Sequence, residues 1–154
     1  MQYLLASLSP DAKRMPIAPQ VDGEPRSVLV LEDDFVLTLL YRRLFQMCGC
    51  QVDLASSAEQ AQECLTVKPY DLILLDAALP GGAAAQVAKF ARQGVSAQAP
   101  KVPIVAISSG DGTDAVQSML DAGADRFLPK PILAQQIRFM LAMYGLAGDD
   151  DSNE

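Results

Sequence analysis

Four stretches of this chain end an apolar run in a side chain able to do chemistry. Val28-Leu29-Val30-Leu31 runs into Glu32-Asp33-Asp34, Leu72-Ile73-Leu74-Leu75 into Asp76, Ile104-Val105-Ala106-Ile107 into Ser108, and Phe127-Leu128-Pro129 into Lys130. The four types are complementary. Carboxylates brought together repel and raise one another's pKa unless a cation sits among them. A hard divalent ion suits such a set: Mg²⁺ takes oxygen ligands in an octahedron and keeps several waters, so Asp33, Asp76, one backbone carbonyl and waters would be an ordinary coordination sphere. Lys130 adds a second positive charge, able to hold Asp76 or to meet an incoming phosphoryl oxygen. Ser108 supplies a hydroxyl donor. A carboxylate nucleophile, a metal, a lysine and a hydroxyl are the parts needed to form an aspartyl phosphate.

Each residue alone has an ordinary structural role, as a helix cap, a turn or a solvated loop, so the case rests on whether the fold brings them to one place. The apolar runs read as buried parallel strands, because their apolar residues follow one another without alternation. The expected strands are residues 27–31, 51–54, 71–76, 102–107 and 126–128, the third closed by Leu79-Pro80-Gly81-Gly82. Between them lie helical stretches at about 35–47, 58–67, 83–92, 113–121 and 133–144. Gly49 and Gly123 serve as C-terminal stops, Ser57 as an N-cap, and Lys68-Pro69 as a terminator. Five βα units imply a parallel sheet covered by helices on both faces through right-handed crossovers. All strands then present their carboxyl ends on one edge, where ligands bind in open α/β sheets.

Composition narrows the chemistry. The chain has 154 residues, half of them hydrophobic, which suits one domain with a well-filled core. A formal net charge of −7 argues against nucleic acid and anionic membranes as partners. Part of that charge is crowded into Asp149, Asp150, Asp151 and Glu154. There is no histidine, so histidine acid-base catalysis, histidine metal ligation and a phosphohistidine carrier role are excluded. If phosphoryl chemistry occurs, this chain is the acceptor. Cys48, Cys50 and Cys64 are an odd number without a paired zinc pattern, and read as small buried hydrophobes in a reducing cytoplasm. Prolines 10, 16, 19 and 25 oppose regular structure in residues 1–26, which are expected to be a flexible arm. Its apolar run, residues 3–8, is too short to span a membrane.

The segments VLVLEDD, DLILLDAALPG, PIVAISS and ADRFLPKP resemble the receiver domain of two-component response regulators, over about residues 27–145. The resemblance implies a flavodoxin-like, doubly wound, five-stranded parallel sheet of order 2-1-3-4-5. It further implies that Asp76 is the phosphorylated aspartate and that Asp33 ligates Mg²⁺ directly. Glu32 would act through water, and Ala78 would give the metal its backbone carbonyl. Ser108 matches the hydroxyl switch residue, Phe127 the aromatic switch, and Lys130 the lysine before a cis bond to Pro131. Asp34 falls one place beyond the acidic pair and reads as the cap of the helix starting at Phe35.

Residues 82–85, Gly-Ala-Ala-Ala, depart from the family pattern, so the loop after Asp76 or the start of the next helix is expected to be unusual. The implied function is a cytoplasmic, single-domain phosphoacceptor served by a histidine kinase or histidine phosphotransfer protein. Residues 146–154 would be an acidic tail, and output would go to a protein partner through the fourth helix, fifth strand and fifth helix, or onward by phosphotransfer. Two rivals stand beside it. One is a pseudo-receiver that binds partners without phosphorylation. The other is a Mg²⁺-dependent phosphatase with an aspartyl nucleophile, although such enzymes commonly place a second acid where this chain has Ala78.

Overall fold

A strand covered by helices on both faces has no side to expose to water, and the central strands here carry almost nothing but branched apolar residues. In the computed structural model, which describes residues 25–109 and 113–147, five strands alternate with five helices. They are β1 (Arg26–Leu31), α1 (Phe35–Met47), β2 (Cys50–Ala55), α2 (Ala58–Val67), β3 (Leu72–Asp76), α3 (Ala83–Ala91), β4 (Ile104–Ser108), α4 (Thr113–Ala122), β5 (Arg126–Pro129) and α5 (Ala134–Met143). The sheet is parallel with order β2-β1-β3-β4-β5, the flavodoxin-like order expected from the sequence.

Side-chain alternation divides the core in two. Leu29, Leu31, Ile73, Leu75, Ile104 and Ala106 face α2, α3 and α4, whereas Val28, Val30, Leu72, Leu74, Val105 and Ile107 face α1 and α5. Every residue of β3 and β4 is buried. Each fully buried Leu, Ile or Val contributes about 1.5–3 kcal/mol, so the two inner strands hold the carboxyl edge rigidly in place.

The expected caps form. Asp34 accepts from the Val36 and Leu37 amides at 2.9 and 3.1 Å, and Ser57 accepts from Gln60 N at 3.2 Å. Gly49 and Gly123 end their helices at φ 85° and 116°, in the left-handed region. Several boundaries move. Val102 and Pro103 precede β4 rather than opening it, since Pro103 has no N–H to give the ladder, although its carbonyl still accepts from Ile73 N at 2.9 Å. Leu133 and Tyr144 are the caps of α5 and not its first and last turns. The loop after Asp76 is unusual in the expected place: residues Pro80–Gly82 form a 3-10 turn with Gly81 and Gly82 at positive φ, and α3 starts with no side-chain cap.

Residues 1–24 of the expected arm, 110–112 of the loop after β4, and 148–154 of the acidic tail lie outside the described residues. At the two ends of the unit, β1 already begins at Arg26, and Leu146 packs against the α1/α5 core layer with its amide 2.6 Å from the Leu141 carbonyl.

The segment from Gln93 to Lys101, expected to be loose, is tied down at the edge opposite the carboxyl ends. Gln98 donates to the Leu65 and Lys68 carbonyls at 2.9 and 2.7 Å and accepts from Tyr70 N at 2.7 Å. Arg92 reaches the carbonyls of Pro100 (3.0 Å), Val102 (2.7 Å) and Gly123 (2.9 Å), and the carboxylate of Asp125 (3.1 Å). Asp125 in turn accepts from Ile104 N at 2.8 Å, so one guanidinium ties α3 to the starts of β4 and β5. Arg92→Ala strands several carbonyls at once and should cost roughly 2–4 kcal/mol of unfolding free energy. Urea denaturation would measure this, and amide shifts around Asp76 should stay near wild type. A cost below about 1 kcal/mol would mean that water replaces these bonds freely.

Candidate functional site

The carboxyl edge brings together the residues that the sequence scatters. β1 delivers Glu32 and Asp33, the adjacent β3 delivers Asp76, β4 delivers Ser108, and the end of β5 delivers Lys130. Glu32 and Asp76 are each 2% exposed and Ser108 is 5% exposed, while Asp33 and Ala78 lie open to solvent. The Lys130 ammonium lies 3.1 Å from Asp76 Oδ2 and 3.2 Å from Glu32 Oε1, bridging the two buried carboxylates.

Local backbone sets the orientation of each group. The Ala78 amide donates to Asp76 Oδ1 at 2.9 Å, so the two oxygens of Asp76 are held by different partners, a neutral amide and a charged lysine. The Ala77 amide donates to the Ile107 carbonyl at 2.7 Å, which binds the start of the loop to β4. Glu32 Oε2 accepts from the Asp34 amide at 3.1 Å, and Thr38 Oγ1 donates to the Glu32 carbonyl at 3.3 Å, fixing the acidic turn against the first turn of α1. The Lys130 amide donates to the Ser108 carbonyl at 3.0 Å, and a cis peptide joins Lys130 to Pro131, as expected. Asp34 turns away to cap α1, which agrees with its reading as a cap and not a ligand. Cys48 and Cys50 are buried in the apolar layers, and Cys64 is partly buried, none of them near this edge.

The charges perturb one another. Burial pushes Glu32 up to about 6, and the neighbouring Asp76 adds to that, against the opposing pull of the Asp34 amide and the Lys130 ammonium. Burial alone would lower Lys130, but its hydrogen bonds to Asp76 and Glu32 outweigh it and hold the lysine above its ordinary value, firmly charged. Glu32, Asp33 and Asp76 each offer an oxygen, all within 4.8 Å of one another. Three convergent carboxylate oxygens, one acid open to solvent, are a donor set for a hard cation.

Phe127 lies opposite Ala106 in the β4/β5 register and is half-buried against the α2/α3/α4 core layer, so its neighbour across the ladder is small. One residue near the site escaped sequence reasoning. Tyr41 is completely buried on the inner face of α1, and burial raises its hydroxyl above the ordinary value, with Glu32, Lys130 and Asp76 all acting on it. Its only signal in sequence is a phenol at a core position of an amphipathic helix, which ordinarily reads as packing.

Glu32 sets a testable pH dependence. Its folded value lies above the unfolded value of 4.5, so its contribution to stability is fully present below that value and is lost as pH rises through about 6. In divalent-free buffer, Glu32→Gln should gain about 2 kcal/mol relative to wild type between about pH 4 and about pH 7.5. Urea titrations at the two pH values would measure the change. A difference that moves the opposite way would show the Lys130 attraction outweighing burial.

Comparison with known proteins completes the description. The profile of the response regulator receiver domain matches residues 28–142. The chain is 28% identical over 150 residues to the sensor protein GacS of Pseudomonas syringae pv. syringae, covering 96% of this chain and 16% of that protein. It is also 28% identical over 115 residues to the sensory/regulatory protein RpfC of Xanthomonas campestris pv. campestris, covering 75% and 16%. The chain thus spans about a sixth of the length of these relatives. Among solved structures it resembles the receiver domain of the sensor histidine kinase PA1611 from Pseudomonas aeruginosa PAO1, described with a magnesium ion coordinated in its active-site cleft. The TM-score is 0.68 at 24% identity, over 79% of this chain and 98% of that one. A CheY-like receiver domain from Methanospirillum hungatei JF-1 aligns with TM-score 0.70 at 16% identity, over 85% and 100%.

Proposed function

The chain belongs to the response regulator receiver domain family, phosphoacceptors of two-component signalling, and from that premise we propose that Asp76 is the residue that takes the phosphoryl group. The donor would be a histidine kinase or a histidine phosphotransfer protein. The P–N bond to its imidazole breaks, a P–O bond to the Asp76 carboxylate forms, and the released imidazole takes up a proton. The observation that carries this reading is the seat of Asp76, with one oxygen on the Ala78 amide, the other on Lys130, and Glu32 and Asp33 beside it. The chain then acts as substrate and switch and not as a turnover enzyme.

Asp33 and Asp76 would hold Mg²⁺ directly, Ala78 through its carbonyl and Glu32 through a water. The magnesium described in the P. aeruginosa receiver supports this, as does the cluster of three acids here. When bound, the ion supplies charge neutralisation at the phosphoryl oxygens. Lys130, already charged and poised on Asp76, would follow those oxygens, and Ser108 would donate its hydroxyl to one of them. Phe35 and Val36, 73% and 70% exposed on the first turn of α1, add an apolar rim next to Asp33 that suits a protein donor. In this reading the setting is cytoplasmic, and among the described residues no helix is long and apolar enough to cross a membrane.

Intact-mass analysis with a small phosphodonor tests the assignment. One phosphoryl group should add in the presence of Mg²⁺ and none to Asp76→Asn; equal labelling of that variant defeats the proposal. Asp33→Asn should stay folded yet bind Mg²⁺ at least about tenfold more weakly, since a direct ligand is lost. Unchanged affinity by titration removes Asp33 from the site.

For output, movement of Ser108 toward the phosphoryl group would vacate space beside β4, and Phe127 would turn inward over Ala106. The face formed by α4, β5 and α5 changes with it, and a downstream protein reading that face must prefer the phosphorylated form. Ser108→Ala should still take phosphate but leave the Phe127 amide shift nearly unmoved on phosphorylation. If wild-type shifts stay confined to residues touching Asp76, output leaves by another face.

A further inference from the structure

Tyr41 carries more than packing. Its ring is fully buried in the core layer shared with Ile132, Ala134 and Ile137, yet no well-formed hydrogen bond satisfies its hydroxyl among the described residues. A buried hydroxyl without a full partner is unusual in a native core and calls for a local reason. Its surroundings suggest one. Thr38, one turn earlier on α1, donates to the Glu32 carbonyl, so this strip of the helix looks toward the acidic turn. The Ile132 backbone lies close enough to favour the ionised phenol slightly, and the hydroxyl feels Glu32, Lys130 and Asp76 together. It therefore lies beneath the Lys130-Pro131-Ile132 turn, on the side away from the solvent.

That turn is anchored unequally. On one side the Lys130 amide is fixed to the Ser108 carbonyl at 3.0 Å. After Pro131, which has no N–H, the Ile132 side chain is sunk in the core at 1% exposure and its backbone meets Tyr41. We infer that the Tyr41 hydroxyl is a positioning group for phosphoryl transfer: placed under the turn, it fixes the height at which Lys130 presents its ammonium to Asp76 and Glu32. The inference rests on the phosphoacceptor reading given above, but the placement of Lys130 can be read without it. Phosphoryl transfer depends on the geometry of charged groups around the moving oxygens, so a small displacement of Lys130 acts on rate before it acts on metal affinity.

Tyr41→Phe keeps the ring and removes the oxygen. In the full chain, this variant should melt near wild type and bind Mg²⁺ within about twofold of it, while phosphorylation at saturating Mg²⁺ and phosphodonor slows by about three- to tenfold. The Lys130 ammonium and Ile132 amide resonances should shift in the unphosphorylated protein. A purely packing role would leave rate and resonances unchanged, and that result overturns the proposal. A loss of Mg²⁺ affinity as large as the loss of rate also overturns it, because the hydroxyl would then act on the acids and not on Lys130. Should Tyr41→Phe fail to fold, fluorotyrosine at position 41 weakens the oxygen as an acceptor while preserving the packing, and should slow transfer in the same direction; an unchanged rate there counts against the inference. If wild type takes no phosphate from any donor, the phosphoacceptor reading falls. The Lys130 and Ile132 resonances then decide the role of Tyr41 by themselves.

Discussion

Two carboxylates sit almost out of water at the head of this sheet, and a single ammonium makes that possible. Burying an ionised carboxylate costs several kcal/mol unless a countercharge and hydrogen bonds meet it. Lys130 meets both Glu32 and Asp76 within 3.2 Å, and the Asp34 and Ala78 amides satisfy a further oxygen on each. The compensation is incomplete for Glu32, whose value still rises to about 6, and that residual tension is what a divalent cation beside Asp33 would relieve. The same ion pair makes the site responsive: any new group that draws Lys130 toward itself changes the balance on both acids at once.

The ion pair depends on the sheet order. Glu32 and Asp76 are neighbours because β1 pairs directly with β3, and Lys130 reaches them across β4 because Ser108 holds its backbone. Shifting any of these strands by one residue would turn every apolar side chain to the other face, so burial of both layers enforces the register that the charges need. At the opposite edge, Arg92 and Gln98 close the connections with uncharged carbonyl partners and one carboxylate. One end of the molecule is thus stapled, and the other carries the strained charges and the glycine-rich turn at Gly81 and Gly82. Loops that do chemistry on a rigid scaffold commonly show this division.

Much of this was legible in the sequence, because it is written in local signals. Unalternating runs such as Leu72 to Leu75 define buried parallel strands, Asp34 and Ser57 announce helix starts, Gly49 and Gly123 announce stops, and five βα repeats leave few topologies. The residue types closing the strands also stated the chemistry on offer. Errors fell where local preference competes with long-range bonds: Pro103 takes Val102 out of β4, and residues 93–101 look like loose chain until Arg92 and Gln98 find partners as many as 33 positions away.

The sequence by itself determined the elements, their alternation and the inventory of acids, hydroxyl and lysine, because these follow from periodicity, caps and strand ends within a few residues of one another. Only the tertiary structure decided which oxygen of Asp76 faces Lys130, that Glu32 shares that lysine while Asp33 stays open to solvent, and that a core tyrosine lies under the Lys130 turn. The physical reason is separation along the chain. Lys130 stands 98 residues from Glu32 and 54 from Asp76, and the strength and direction of their interaction depend on burial and distance, quantities that exist only once the sheet has closed around them.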